Sequence, residues 1–376
     1  MLLLSVIALQ FLLIIYIAIQ LRNLKRSVKN AQRKSIFLHE KNEKLLHTLY
    51  LSMEHLSRMR ELPPSLSKVP FADQLGIVLS VKKITIPSIE APYNASIGAL
   101  ENGYGLFFRY DTLSCNAPFF SNMGCMHLNS DFEPLKDSLI KIETQSEFSE
   151  DARFFQHNGR HFLIYNDRIS RFSEQRGMRI AAIDLGTKKL EYITPLPMNS
   201  LKVEKNWTPF SHENEIHFLY TICPQKIFEL PNPKRPFLKA VSSFFSNPVW
   251  PMKWGIPRGG TPAILIDGEY LSFFHSSFED EKGIIWYIMG AYTFASVPPF
   301  QMTRISPCPF LFKGIYSTPH GEIANPKIRS IYPAGLIYER RDGRDVIAVS
   351  CGENDSAIKI ISMDKQALFS SLQTIF

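Results

Sequence analysis

The chain opens with an uninterrupted apolar run, LLLSVIALQFLLIIYIAIQL over residues 2–21, that holds no charged side chain. About 20 such residues suffice to cross a bilayer as a helix, so residues 1–21 are read as a transmembrane anchor. A cleaved signal peptide would carry basic residues before the run and a small-x-small site after it. Here no base precedes the run and Leu21-Arg22-Asn23-Leu24-Lys25-Arg26 follows it. The bases therefore lie on its C-terminal side, and the positive-inside rule puts the body of the protein in the cytoplasm. Residues 22–64 form a basic juxtamembrane segment and a helical stalk. Leu38, Leu45, Leu49, Leu56 and Met59 recur at helical spacing until Pro63-Pro64 ends the pattern. Such a stalk could pair as a short coiled coil, giving a homodimer, or lie as a single amphipathic helix on the body or the membrane.

Beyond the stalk the pattern changes to short apolar runs separated by turn residues. Five stretches share one plan: SIGALENGYGLFFRYD, DARFFQHNGRHFLIYND, WTPFSHENEIHFLYTI, GGTPAILIDGEYLSFFHSS and PAGLIYERRDGRDVIAVSCG. Each is an apolar strand, a polar turn with Asn or Gly, and a second apolar strand, which is the signature of a β-hairpin. The turns centre on Gly103, Gly159, Asn214, Gly268 and Gly343, at spacings of 56, 55, 54 and 75 residues. A β repeat of roughly 50 residues marks the blades of a propeller. Each blade is a small antiparallel sheet that cannot bury both faces alone, so blades pack in a ring. The sequence therefore predicts an all-β, five-bladed β-propeller over residues 65–376, preceded by the transmembrane helix and stalk. A pair of β-sandwiches accounts less well for the regular spacing.

Composition fits this picture. Apolar residues make up 45% of the 376 residues and charged residues 20%, a globular balance that excludes bulk disorder. Phe (28), Tyr (14) and Pro (25) are abundant, which suits many strands and turns. The net charge of +7 is local: six bases between Arg22 and Lys34 account for all but +1 of it. With no basic cluster on the body, a nucleic-acid partner is not expected. The five cysteines, Cys115, Cys125, Cys223, Cys308 and Cys351, are irregularly spaced without a CxxC pair, so neither a metal site nor a disulfide framework is expected.

In a propeller, function concentrates where the innermost strands open onto the central channel. Polar residues precede the hairpins at one phase: Asn94-Ala-Ser, Glu150-Asp151-Ala-Arg153, Glu204-Lys205-Asn206-Trp207, Arg258-Gly259-Gly260-Thr261 and the segment beginning at Tyr332. Arg109, Asn166-Asp167-Arg168, His275 and Glu353-Asn354-Asp355 follow them. Singly these read as solvated strand ends; together, in phase across five repeats, they read as the lining of one site. Asn94-Ala-Ser, Asn206-Trp-Thr and Asn354-Asp-Ser match the glycosylation pattern by chance, since a cytoplasmic chain is not glycosylated. Pro231–Met252 inserts bulky apolar residues into a blade connection, either as a lid or as a loop packed beneath the ring.

The ordered set EDAR, NWTPF, GGTP and GEND resembles glycoside hydrolase family 130, over roughly residues 90–362. The resemblance implies a five-bladed propeller that phosphorolyses or hydrolyses β-mannosides. It implies Asp151 as the catalytic general acid, acting in the phosphorylases through a sugar hydroxyl, with Ala152 standing where Pro is more usual. It implies Arg109, Glu150, Arg153, Asn206, Trp207, Tyr292 and Asp355 as substrate contacts, and Lys205, Arg258 and His275 as phosphate ligands. No cofactor is implied beyond inorganic phosphate as co-substrate; the partner is an oligosaccharide or sugar phosphate. A phosphorylase needs fixed positive charge for its nucleophile, whereas an inverting hydrolase needs a second carboxylate with room for a water. Glu204, Glu353 and Asp355 are the candidates for that base. The basic trio favours phosphorolysis or the reverse mannosyl transfer. An inverting β-mannoside hydrolase and a non-catalytic, membrane-tethered propeller that binds glycans or proteins are the alternatives.

Overall fold

A computed structural model describes residues 62–112, 120–170, 173–187, 189–197, 203–235, 237–244, 249–320 and 324–375, together with residues 20–22, 24, 25, 27 and 28. The chain divides into two units, Met1–Leu62 and Pro63–Phe376. In the first unit the described positions between 20 and 28 are helical and exposed. Among the described residues no helix is long and apolar enough to cross a membrane. Nearly all of the anchor read over 1–21 and of the stalk read over 22–64 lies outside the described residues.

The second unit is almost entirely β. Strand β1 (Val78–Ile84) leads into four consecutive strands, β2 (Tyr93–Leu100), β3 (Gly103–Thr112), β4 (Phe120–Leu128) and β5 (Ile140–Ile142), which form the first blade. The second blade is β6 (Glu150–His157), β7 (Arg160–Arg168), β8 (Arg176–Asp184) and β9 (Lys189–Pro195). The third is β10 (Thr208–His212), β11 (Glu215–Thr221), β12 (Gln225–Leu230) and β13 (Lys239–Phe244). In the fourth the inner strand is split into β14 (Arg258–Gly259) and β15 (Ile264–Ile266); both pair with β16 (Glu269–Glu279), followed by β17 (Ile285–Ala295) and β18 (Met302–Ile305). The fifth is β19 (Ile328–Arg341), β20 (Arg344–Glu353) and β21 (Ala357–Asp364), with β1 antiparallel to β21 as its outermost strand. Near the C-terminus, β22 (Gln373–Thr374) pairs with β18 of the fourth blade.

The inner hairpins turn at dipeptides built for the purpose. Asn158-Gly159, Asp267-Gly268 and Asp342-Gly343 all have positive φ at both positions, the type I′ geometry whose twist matches the flanking strands.

Each blade touches the next, and the fifth touches the first, so the ring is closed. Small hydroxyls stitch neighbouring inner strands. Phe154 N donates to Ser96 Oγ (2.9 Å), and Ser211 Oγ donates to Gln156 O (3.0 Å). Between fifth and first blades, Ser350 Oγ accepts from Ile97 N (2.9 Å) and donates to Ala95 O (2.6 Å). The fourth and fifth blades are joined further by a short parallel pairing of β17 with β19 at Ile285–Tyr287 and Ile328–Ser330.

Packing explains why these strands read as continuous apolar runs instead of alternating ones. A middle blade is covered on both faces, so both sets of side chains are buried. Phe107 packs toward the second blade, its ring stacked on Phe154 at 4.6 Å, while its neighbour Phe108 joins the core shared with the fifth. Phe154 and Phe155 divide in the same way between the first and third blades. Each such burial contributes about 1.5–3 kcal/mol.

One buried ion pair anchors the fifth blade. Lys359 Nζ lies 2.7 Å from Glu353 Oε1 and donates to Gly314 O at 2.8 Å, while Glu353 Oε2 accepts from Thr318 N at 3.1 Å. Both side chains are buried. Removing one partner leaves a buried charge uncompensated. Lys359→Met is therefore expected to lower unfolding stability by about 3–5 kcal/mol, with partial recovery in Lys359→Met/Glu353→Gln. Denaturant midpoints check this; a loss below about 1 kcal/mol would contradict a charged, locked Glu353.

Candidate active site

The inner strands are not regular where they enter the channel. Register shifts fall between Tyr93 and Ser96 in β2, between Glu150 and Arg153 in β6, and between Pro333 and Gly335 in β19. Asn94 (φ 47°), Asp151 (φ 56°) and Asn206 (φ 66°) all occupy the left-handed region. Bulges re-aim side chains, and positive φ at a non-glycine residue costs about 1–3 kcal/mol. The consequence for the second blade is decisive. Regular alternation would send Glu150 and Asp151 to opposite faces; with the bulge, both lie within reach of one guanidinium, that of Arg109.

Arg109 organises the acidic half of the site. Its Nε and NH2 donate to the two oxygens of Asp111 (2.9 and 3.1 Å), NH2 lies 3.4 Å from Glu150 Oε1, and NH1 lies 3.7 Å from Asp151 Oδ1. Burial works against its charge, but Tyr93, Glu150, Asp151 and Asp111 outweigh it and hold Arg109 firmly protonated. Tyr93 donates to Asp111 Oδ2 (2.5 Å), and Asn94 Nδ2 donates to Asp151 Oδ1 (2.8 Å). Arg176 NH2 meets Glu150 Oε1 at 2.5 Å. Burial pushes the Glu150 carboxyl up, with Asp151 adding to the shift and Arg109 and Arg176 opposing it. Asp355, from the β20–β21 turn, feels the same group: burial, then Asp151, Asp111 and Glu150, raise it to about 6 against the pull of Arg109. Four carboxylates thus gather around Arg109 and Arg176, an arrangement that retains a proton nearer neutrality than isolated acids do.

The cationic half centres on Arg153, which is 1% exposed. Its Nε donates to Gly260 O, and its NH2 donates to Gly259 O (3.2 Å), Asn206 Oδ1 (3.3 Å) and Tyr332 Oη (2.7 Å). Tyr332 in turn donates to Asn206 Oδ1 at 2.8 Å. The two glycines make this approach feasible. A Cβ on Gly259 would stand 2.1 Å from Asn206 O, and one on Gly260 would stand 2.5 Å from Phe273 O. Arg258 donates to Ser277 Oγ (2.6 Å) and lies over the Tyr287 ring. Lys205 is exposed, close enough for its charge to act on His275. His275 pairs in register with Arg258, and its ring lies 4.7 Å from that of Tyr332. Burial, then the charges of Arg258, Arg153 and Lys205, hold its imidazole well below its ordinary range. His275 therefore enters the set as a neutral group with a buried, unpartnered Nδ1, not as a third cation. Among the described residues, no carboxylate forms an ion pair with Arg153, Arg258 or Lys205.

Tyr332 joins the halves: its phenol is raised by burial and by Asp151, and lowered by Arg153 and Arg258. Arg109, Glu150, Asp151 and Asp355 thus lie in one polar cluster, and Arg153, Asn206, Lys205, Arg258 and His275 in a second that meets it at Tyr332. Trp207 and Tyr292 belong to neither. Trp207, 1% exposed, donates to Glu204 Oε2 (3.3 Å) and packs on Phe218 and Tyr220. Tyr292, fully buried, lies between Phe274 and Phe294 in the fourth blade. Neither offers a face to a sugar; both are core. Glu204 also takes the Tyr220 hydroxyl (3.2 Å), and Glu353 is spent on Lys359, so of the three candidate bases only Asp355 faces the site. Sequence reasoning put Asn94 and Tyr332 in phase without giving them a role, and it passed over Asp111. The Arg109-x-Asp111 spacing carried that signal, since residues two apart on a strand share a face.

No protein-family model matches the chain and no curated protein matches it in sequence. Solved structures do. A mannose phosphorylase from Leishmania mexicana, in complex with phosphate ion, superposes with TM-score 0.57 at 12% identity, covering 81% of this chain and 94% of that one. The β-1,2-mannobiose phosphorylase of Listeria innocua, in complex with β-1,2-mannobiose, gives 0.53 at 12% identity, covering 80% and 98%. A third, from work on glycoside hydrolase family 130 and its hydrolases of β-1,2 mannosidic linkages in Candida mannan, gives 0.52 at 11%, covering 74% and 85%. At this identity the shared feature is the fold.

A carboxyl raised in the folded state binds its proton more tightly there than in the unfolded chain. Its contribution is present below the unfolded pKa and is lost as pH rises through about 6. The stability of the wild type relative to Asp355→Asn is therefore expected to fall between about pH 4 and pH 6, by roughly 2–3 kcal/mol. Denaturant midpoints across that range check this; a difference that stays flat or grows with pH would contradict it.

Proposed function

We propose that this protein is a carbohydrate-active enzyme acting on β-mannosides, by phosphorolysis or the reverse mannosyl transfer. The observation that carries the reading is the pairing of a proton-retaining carboxylate cluster with a cationic cluster that has no carboxylate partner among the described residues. Arg153 is oriented by four neutral acceptors, which hold its geometry without cancelling its charge. With Arg258 and Lys205 it forms a site that an anion would complete, and bound phosphate would be both nucleophile and counter-charge. The likeness to mannoside phosphorylases supports the substrate class.

In this reading Asp151 is the general acid. It protonates the departing glycosidic oxygen, directly or through a sugar hydroxyl, while a phosphate oxygen attacks the anomeric carbon. The carbon–oxygen bond to the acceptor breaks, the bond to phosphate forms, and mannose 1-phosphate leaves with the shortened acceptor. Arg109 and Asn94 aim Asp151, and Glu150 and Asp355 keep a proton in its neighbourhood. Asn206, Arg109 and Asp355 contact the sugar; Lys205, Arg258, Arg153 and the neutral His275 hold the phosphate. Asp355 favours one second reading, an inverting hydrolase in which it activates water. A non-catalytic glycan-binding propeller would leave the cationic cluster without a purpose.

The anchor over 1–21, the stalk over 22–64 as a pairing segment, and a cytoplasmic propeller complete the proposal; protease protection of intact membranes checks the orientation. For the chemistry, the full chain is offered mannose 1-phosphate with a panel of acceptor sugars. Phosphate release is expected from the wild type and should fall about 10²–10⁴-fold in Asp151→Asn. Arg258→Met is expected to raise KM for phosphate at least tenfold in the forward direction. Cleavage of β-mannosides that proceeds equally without phosphate would replace phosphorolysis with hydrolysis. Silence in both assays would remove the enzymatic reading.

A further inference from the structure

A cleft of about 720 Å³ opens between the first and second blades, beside the acidic half of the site. That volume lies in the roughly 300–1,000 Å³ range of small-molecule clefts. Among the described residues its three bases, Lys141, Arg168 and Arg179, are matched by three acids, Glu143, Glu147 and Asp167. Two partly exposed aromatic rings, Phe120 and Phe148, meet edge to face at 5.9 Å. Part of the polar wall is fixed. Asp167, 1% exposed, accepts from Ser146 Oγ at 2.7 Å and pairs with Arg179 Nε at 2.9 Å. Arg168 lies over the Phe148 ring at 4.1 Å, and its Nε is buried without a partner.

The cleft and the candidate active site share one hydrogen-bond network. Arg176 donates to Glu150 Oε1, to Phe148 O (3.0 Å) and to Asn166 Oδ1 (2.7 Å). Phe148 then belongs to the cleft wall, as does Asp167, the residue after Asn166. The register pair Glu150–Asn166 puts this network, and with it the cleft, at the same end of β6 and β7 as Asp151.

We propose that this cleft binds the distal sugars of a neutral oligosaccharide whose reacting bond sits at Asp151, so that the preferred substrate is a chain longer than a disaccharide. Polar groups held in place at Ser146, Asp167 and Arg179, beside aromatic edges, suit sugar hydroxyls and ring C–H groups. An anionic ligand would instead need an excess of bases. The inference rests on the glycoside reading of the site above.

The test compares β-1,2-mannobiose with β-1,2-mannotetraose by calorimetry on the full chain, for the wild type and for Phe120→Ala/Lys141→Ala. Neither position belongs to the catalytic set. The tetraose is expected to bind at least about tenfold more tightly than the biose. The double variant should erase that advantage while leaving biose affinity within about twofold. Lys141→Ala alone, at an exposed position, is expected to remove part of it and serves if Phe120→Ala lowers the unfolding midpoint. Equal affinity at both lengths, or a variant that loses both alike, overturns the cleft inference and leaves the mannoside reading standing. If β-mannosides do not bind, but cellotetraose outbinds cellobiose and the variant erases the difference, the mannoside reading falls and the cleft stands. No length-dependent binding of either series overturns the inference.

Discussion

The site depends on one buried guanidinium. Arg153 belongs to the second blade, yet its hydrogen bonds reach Asn206 ahead of the third, Gly259 and Gly260 in the fourth, and Tyr332 in the fifth. A cation taken out of water is costly unless its donors are satisfied. Here neutral oxygens from three other blades accept from its Nε and NH2, so correct assembly of the ring and correct placement of the charge are one requirement. None of those oxygens is anionic, so none offsets the positive charge of Arg153. The fixed fork of the guanidinium suits this role in a way a lysine ammonium would not.

The second constraint is the set of bulges at the inner-strand entrances. They bring Asp151 to the same guanidinium as Glu150 and turn Asn94 toward it. Left-handed backbone at Asn94, Asp151 and Asn206 is strain held in place by the surrounding sheet. It falls where the candidate chemistry lies, and the small close-packed residues around it serve the same end: a Cβ on Gly352 would stand 2.1 Å from Asn94 Oδ1.

Much of the architecture was legible because the hairpin turns carry their own chemistry. Asn158-Gly159, Asp267-Gly268 and Asp342-Gly343 mark both the turn and the period, and the chain turns at those residues. The convergence of Asp151, Arg109 and Asp355, and of Lys205, Arg258 and His275, follows from their common phase in the repeat. Side-chain direction was not legible. Strands buried on both faces read as unbroken apolar runs, so the direction of Tyr292 on β17 was hidden; Trp207 stands just ahead of β10, where no alternation applies, and both are core. The bulge at Glu150-Asp151 defeats the alternation rule, and only the folded chain reveals it. The state of His275 was equally hidden, since its protonation is suppressed by burial and then by three cations that come from separate parts of the sequence.

The central claim is that Arg153, Arg258 and Lys205 form an anion site waiting beside the carboxylate cluster. Calorimetric titration of inorganic phosphate into the full chain, with no sugar present, tests it most directly. The account predicts saturable binding at one site per chain, weakened by added salt and lost in Arg258→Met. Heats no larger than dilution at millimolar phosphate, or binding indifferent to that substitution, would contradict it.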